Sequence, residues 1–390
     1  MTSCDAPDLT KGLVPLADAR IVLATRAKQY GILAQTESLP LHRVLNRVLA
    51  ENIDSPINVP NFNNSAMDGY ALCLADCQSL ALANNRDIIL PVSQRITAGD
   101  APESLLENTC ARIFTGAATP ANADVVVMQE QCEVLTDSRV RFPADILSTK
   151  PQENIRPAGQ DLKQGQAVFQ AGRILRAEDL GVLASIGLAE VLVYKRLKVA
   201  VVSCGDELIE PGKSLSPGKI YNTNSFTLSG LLQRMGMEVV GPFFAADTLA
   251  DTQATLVQAS SLADVIITSG GVSVGEEDHI KAAISAGGEG GGALEMWRLA
   301  IKPGKPFALG QFNEVPVIGL PGNPSAVVVT FYQLARDFLW RVQGAEVQPL
   351  LELTGKAMFS TKKSIARTEF LRARFTQGEV EVFHNQSSGV

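Results

Sequence analysis

The stretch Asp264-Val-Ile-Ile-Thr-Ser-Gly-Gly-Val-Ser-Val-Gly-Glu-Glu-Asp-His-Ile-Lys281 passes from an apolar, β-branched run into glycines and then into acids. Val265 to Thr268 reads as a buried parallel strand, Ser269-Gly270-Gly271 as a turn, and the residues from about Ile280 as a helix. A strand, glycine turn and helix in that order is the ligand-binding unit of open α/β sheets. Glycine lets backbone N–H groups approach an anion, and a helix N-terminus adds partial positive charge. Glu276, Glu277 and Asp278 lie in the same loop, where carboxylates would repel a phosphate. A divalent cation between acids and anion removes the conflict.

The flanking sequence repeats the same alternation. Strands are expected at Lys198 to Val202, Glu238 to Val240 and Val315 to Ile318. Helices are expected at Ser225 to Met235, Asp251 to Leu262 and Ser325 to about Gln343. Strands alternating with helices of these lengths predict a doubly wound parallel sheet. The glycines from Gly287 to Gly292 read as a flexible loop, since no strand precedes them as a dinucleotide fingerprint requires.

Further strand ends carry polar groups. Val199-Ala-Val-Val-Ser-Cys-Gly-Asp-Glu207 sets two acids beyond a strand, where capping or solvation is the plain alternative to ligand binding. Tyr221-Asn222-Thr223-Asn224-Ser225 enters a helix and reads either as a cap or as a polar ligand contact. Ile301-Lys302-Pro303-Gly304-Lys305-Pro306 presents two ammonium groups on a stiff backbone. Gly319-Leu320-Pro321-Gly322-Asn323-Pro324-Ser325 is a second candidate anion cradle, with Pro324 suited to the first helical turn.

Upstream, spacing within residues 15 to 52 predicts two amphipathic helices, the second through Leu41, Val44, Leu45, Val48 and Leu49. Asp54 to about Gln160 reads as short strands among Pro, Gly, Asn and Asp, a small β-rich domain. Within it, Asn61-Phe-Asn-Asn-Ser-Ala-Met-Asp-Gly-Tyr-Ala71 is an ordinary β-turn or a functional loop. At 390 residues the chain exceeds a single core. A hydrophobic content of 46% without an 18-residue apolar run argues against a membrane span, and a net charge of −7 against non-specific nucleic-acid binding. Six cysteines without paired spacing fit free thiols in a reducing cytosol, and three histidines leave few candidates for a histidine base.

Seven ordered segments together resemble the molybdopterin molybdenumtransferase family, the MoeA-type proteins and the gephyrin E domain. They are Asn64-Ser-Ala-Met-Asp-Gly-Tyr-Ala71, Ile113-Phe-Thr-Gly-Ala117, Val126-Val-Met-Gln-Glu130, Gly205-Asp-Glu207, Thr268-Ser-Gly-Gly-Val-Ser-Val-Gly275, Ile301-Lys-Pro-Gly-Lys-Pro306 and Gly319-Leu-Pro-Gly-Asn-Pro324. The resemblance implies a multidomain α/β fold: a doubly wound, MogA-like α/β domain at 197–345, a β-rich domain at 54–160, a helical linking domain from 10–53 and 161–196, and a partial C-terminal β-barrel at 346–390. It implies insertion of molybdate into adenylylated molybdopterin with release of AMP, dependent on Mg2+, in a cytoplasmic homodimer. Catalytic roles are implied for Asp68, Thr115, Asp161, Glu207 and Asp278, and metal contacts for Glu207, Asp247 and Asp278. Substrate contacts are implied for Ser269, Gly270, Gly271, Ser273, Lys302, Lys305, Pro321, Asn323 and Pro324. The upstream adenylyltransferase and recipient molybdoenzymes are the further partners implied.

Some positions depart from the family pattern. Asn63 and Gln160 stand where acids are usual, and Cys204 where Thr or Ser is usual. The sequence also ends short of the family's usual C-terminal barrel, so the last domain is expected to be incomplete. Two rival readings are molybdopterin adenylylation, which would consume ATP, and a non-catalytic peptide-binding scaffold. A tungstate-specific version of the main reaction is a further variant.

Overall fold

The computed structural model describes residues 12–30, 35–83, 88–135, 137–272, 279–361, 367–387 and 389. They form two compact units. The first takes the chain up to Glu51, Ala171–Ala177 and everything from Glu190; the second takes Asn52–Gln170 and Glu178–Ala189.

In the first unit the expected alternation is present. It runs Lys198–Cys204 (β1), Asn224–Arg234 (α1), Glu238–Ala245 (β2), Leu249–Ser260 (α2), Val265–Ser269 (β3), Ile280–Ala286 (α3), Gly292–Trp297 (β4), Ala308–Phe312 (β5), Val315–Leu320 (β6) and Pro324–Thr330 (α4). A π-helical turn, Phe331–Ala335, joins α4 to Arg336–Val342 (α5), so the long helix expected to about Gln343 is interrupted.

The sheet order is β2-β1-β3-β6-β5-β4. Its first four strands are parallel, with Val199 opposite Val265 and Ile266 opposite Val317. β5 pairs antiparallel with both β6 and β4 and so alone runs against the sheet, a departure from the all-parallel expectation. The cause is local. Only Asn313 and Glu314 separate β5 from β6, both at positive φ (49° and 64°), and a two-residue hairpin cannot return a parallel strand.

Alternating strand residues feed two cores. Val199, Val201, Val265 and Ile267 pack with Leu228 and Leu232 of α1; Ala200, Val202 and Ile266 pack on the other face with Leu256 of α2 and Ile280 of α3. This two-sided burial explains why the strands read as continuous apolar runs. Each fully buried side chain of this size contributes roughly 1.5–3 kcal/mol.

The first expected N-terminal helix forms at Leu16–Tyr30 and buries Ala19, Leu23 and Ala27. The second does not. Thr36–Pro40 is a strand paired antiparallel with Glu190–Tyr194, followed by a single 3-10 turn at Leu41–Arg43. Val44, Val48 and Leu49 are buried as the helical pattern required, but Leu45 is 49% exposed. Asn46 at φ 59° breaks the segment, and Val48 and Leu49 bridge to Ile174 and Val193. Backbone pairing with distant residues, invisible to local periodicity, decides the conformation.

The expected glycine loop is an ordered turn: Gly287 closes α3, Gly288 bridges Gly291, and Gly292 opens β4. In the tail, Lys356–Ala357, Glu379–Val382 and Ala373–Thr376 form a three-stranded sheet in that order.

The second unit carries a six-stranded sheet. Its order is Val125–Met128, Gly69–Leu72, Cys110–Ile113, Ile88–Ile96, Arg139–Phe142 and Glu133–Val134. A helix at Leu74–Ala83 covers part of it. Gly69 sits where this sheet is tightest, since a Cβ there would overlap the Val127 carbonyl of the neighbouring strand.

Candidate functional site

In the parallel part of the sheet the chain leaves β1 for β2 on one side and reaches β3 on the other. The reversal opens a crevice beyond the carboxyl ends of β1 and β3, the place where such sheets bind ligands. Four loops leave that edge: Gly205-Asp206-Glu207 after β1, Ala246-Asp247 after β2, Ser269-Gly270-Gly271 around the end of β3, and Pro321-Gly322-Asn323 after β6.

The β1 and β2 loops are locked to each other. Cys204 lies opposite Ala245 at the last rung of the ladder. Beyond it, the Asp206 N–H donates to Asp247 Oδ2 at 2.9 Å and the Asp247 N–H to Asp206 Oδ1 at 3.1 Å. Each of these carboxylates thus spends one oxygen on its neighbour's backbone. His279 Nε2 lies 3.2 Å from the Asp247 carbonyl. Glu207 is exposed and folds its carboxylate back over Gly205.

The β3 and β6 loops are joined as well. Ser269 is buried, its hydroxyl donating to the Pro321 carbonyl at 3.4 Å. The Gly270 N–H donates to the Leu320 carbonyl at 3.1 Å and so is spent inside the fold. Gly270 has φ 90°, and a Cβ there would lie 2.5 Å from the Cys204 carbonyl, so only glycine fits. Asn323 caps α4 through Ser325, with Pro324 in the first turn.

Lys302 and Lys305 are both exposed. Ile301–Lys302 pairs in parallel with Thr368–Glu369, and Lys302 Nζ lies 3.4 Å from Glu369 Oε1. Pro303, between the lysines, lines a cavity of about 270 Å3 with Thr227, Pro324, Ser325 and Arg372.

On the second unit, Asp68 Oδ1 accepts from the Thr115 N–H at 2.8 Å and from the Thr115 hydroxyl at 2.7 Å. These two donors, the backbone one foremost, hold the Asp68 carboxyl below its ordinary pKa, with a further contribution from the Arg112 guanidinium. Arg112 stacks on Tyr70 and Phe114 and donates to the Gly69 carbonyl at 3.0 Å. Asp161 is exposed on a loop whose backbone is tied to Val59.

Ser273 and Asp278, with Glu276 and Glu277, lie outside the described residues. Among the described residues no group of three or more His, Cys, Asp or Glu side chains converges as a metal site. Three participants escaped the sequence reading as site residues: Asp206, His279 and Asn224. Asp206 was one of two adjacent acids, and Asn224 one of two asparagines in a polar run; only the fold separates such pairs.

The family described as "MoeA N-terminal region (domain I and II)" matches residues 14–187, and "Probable molybdopterin binding domain" matches residues 200–341. A molybdopterin molybdenumtransferase of Haemophilus influenzae is 42% identical over 353 residues, 89% of this chain and 84% of that protein. Molybdopterin molybdenumtransferase 2 of Mycobacterium tuberculosis is 36% identical over 310 residues, 79% of this chain and 75% of that protein. A crystal structure of the molybdopterin biosynthesis MoeA protein from Pyrococcus horikoshii OT3 superposes with a TM-score of 0.79 at 27% identity, over 97% of this chain and 92% of that one.

Proposed function

This chain belongs to the molybdopterin molybdenumtransferase family, and we propose that it inserts molybdate into the dithiolene of adenylylated molybdopterin, releasing AMP. The observation that carries this reading is the β1/β3 crevice. There two glycine turns are tied together beside carboxylates from two adjacent strand ends. Anion cradle and carboxylates side by side suit a phosphorylated substrate bridged by a cation.

Mg2+ takes one or two carboxylates, keeps several waters and completes its shell with substrate phosphates. Glu207 and Asp247 fit that demand. Both are hard oxygen donors beyond neighbouring strands, and Asp247 keeps one oxygen clear of the Asp206 backbone bond. These two, with Asp278, would hold the ion. When bound, Mg2+ would offset the negative charge of the pyrophosphate.

The protein's own groups do the positioning. The Gly271 and Gly322 N–H groups have no partner among the described residues and supply the cradle. Lys302 and Lys305, as point charges, meet phosphate or molybdate. Ser269, Pro321, Asn323 and Pro324 shape the wall, and Ser273 is the further substrate contact proposed from the sequence. Asp68, Thr115 and Asp161 are the contribution expected from a second copy of the chain in a homodimer. In this reading residues 10–53 and 161–196 link the domains, and the strands from residue 346 onward are part of a β-barrel. The reaction belongs in the cytoplasm; no helix among the described residues is long and apolar enough to cross a membrane.

Glu207→Gln and Asp247→Asn test the metal assignment. Each is expected to raise the Mg2+ concentration needed for half-maximal AMP release by roughly tenfold or more. An unchanged Mg2+ requirement in both variants would remove these carboxylates from the metal role.

A further inference from the structure

We propose that Asn224 is a positioning residue that tethers the two glycine turns of the crevice; its role in turnover rests on the reaction assigned above. Asn224 opens α1, and its Nδ2 donates to Ser269 Oγ at 2.9 Å and to the Gly322 carbonyl at 2.6 Å. Both amide hydrogens are therefore used. Because a carbonyl can only accept, the Gly322 contact also fixes which way the amide faces.

The position of the tether along the sheet gives it its purpose. The β3–β6 ladder ends with Ser269 opposite Leu320. Beyond that rung the regular ladder stops; the Ser269 hydroxyl still donates to the Pro321 carbonyl, and Asn224 adds a bond to each turn from a third element. Gly270 and Gly322 still touch there, a Cβ on Gly322 lying 3.6 Å from the Gly270 Cα.

The usual task of an asparagine at this point, capping the helix, is done by another residue. Asn222 Oδ1 accepts from the Ser225 N–H at 3.2 Å, and Asn222 Nδ2 anchors to Ser203 Oγ at 3.0 Å. Asn224 is thus released from local duty. Its Oδ1 is buried and has no hydrogen-bond partner among the described residues. Thr227, one turn further along α1, lines the cavity that Pro303, Pro324 and Ser325 share.

Two variants of the full chain separate tether from acceptor. Asn224→Ala removes both; Asn224→Asp keeps size and acceptor but replaces the donating nitrogen with oxygen. Amide exchange read by mass spectrometry is expected to quicken about tenfold at residues 269–272 and 320–323 in both, with 199–203 in β1 unchanged. Turnover is expected to fall by roughly tenfold to a hundredfold with a smaller change in KM, and the aspartate to be no better than the alanine. If the alanine variant also loses β1 protection, Asn224→Ser, which keeps one hydroxyl donor, supplies the same comparison.

Unchanged exchange at both turns would overturn the tether. Quickened exchange with wild-type turnover would overturn the positioning role. Quickened exchange in a protein whose wild type releases no AMP would support the tether and remove the reaction assignment instead.

Discussion

Asp68 and Thr115 show how a single contact sets a charge. Two donors from one residue converge on one carboxylate oxygen and lower its pKa from 3.8. Thr115→Val removes the hydroxyl and leaves the backbone N–H. The Asp68 pKa should therefore rise part of the way back, measurable by carbon-detected NMR titration; no rise would show that the hydroxyl does not face the carboxylate in solution. A lowered folded pKa gives stabilisation that is complete above the unfolded value and is lost as pH falls through the folded one. At Gly69 the constraint is steric. Gly69→Ala is expected to cost on the order of 3 kcal/mol, seen as a lower denaturation midpoint, because the obstacle is backbone and cannot rotate away. Both residues lie in Asn64–Ala71, a stretch whose composition alone reads equally well as a plain turn. The Asp-Gly pair was visible in sequence, but the partners that give it meaning, Thr115 and Val127, are some fifty residues away.

At the scale of elements, sequence reading succeeded wherever an element is defined by its own burial. β1, β3 and β6 are continuous apolar runs because both faces are covered, and α1 and α2 show one apolar stripe each. It failed where pairing with remote chain decides. Leu41 to Leu49 has helical spacing, yet its backbone is spent on Arg173, Leu175 and Tyr194. The β5–β6 hairpin was hidden because Asn313-Glu314 lacks the glycine that usually marks such turns. The candidate site followed the same division. Its glycine turns and strand-end acids were legible as motifs, whereas the Asp206–Asp247 exchange and the Asn224 bridge exist only once strands are ordered. Phe338 of α5 is fully buried and meets Tyr30 of the N-terminal helix edge-on, with ring centroids 6.2 Å apart. Phe338→Ala should cost about 3–5 kcal/mol in equilibrium unfolding and free that helix first, read as earlier proteolysis around residues 16–30. Cleavage unchanged there would mean the helix is held elsewhere.

For the whole molecule the account is one of charge management. The chain carries a net charge of −7, yet its proposed substrates are anions. In the function proposed above, the two would be reconciled by the Gly271 and Gly322 N–H groups, which have no partner among the described residues, by Lys302 and Lys305, and by carboxylates that would hold a cation. Membership of the molybdopterin molybdenumtransferase family supplies the chemistry that this arrangement serves. The direct measurement is AMP release from adenylylated molybdopterin by the purified chain, with Mg2+ present and molybdate added or withheld. The account predicts release that molybdate stimulates, together with metal-loaded pterin as product. Consumption of ATP without AMP release from the adenylylated substrate would contradict it, and so would a folded protein that leaves that substrate intact.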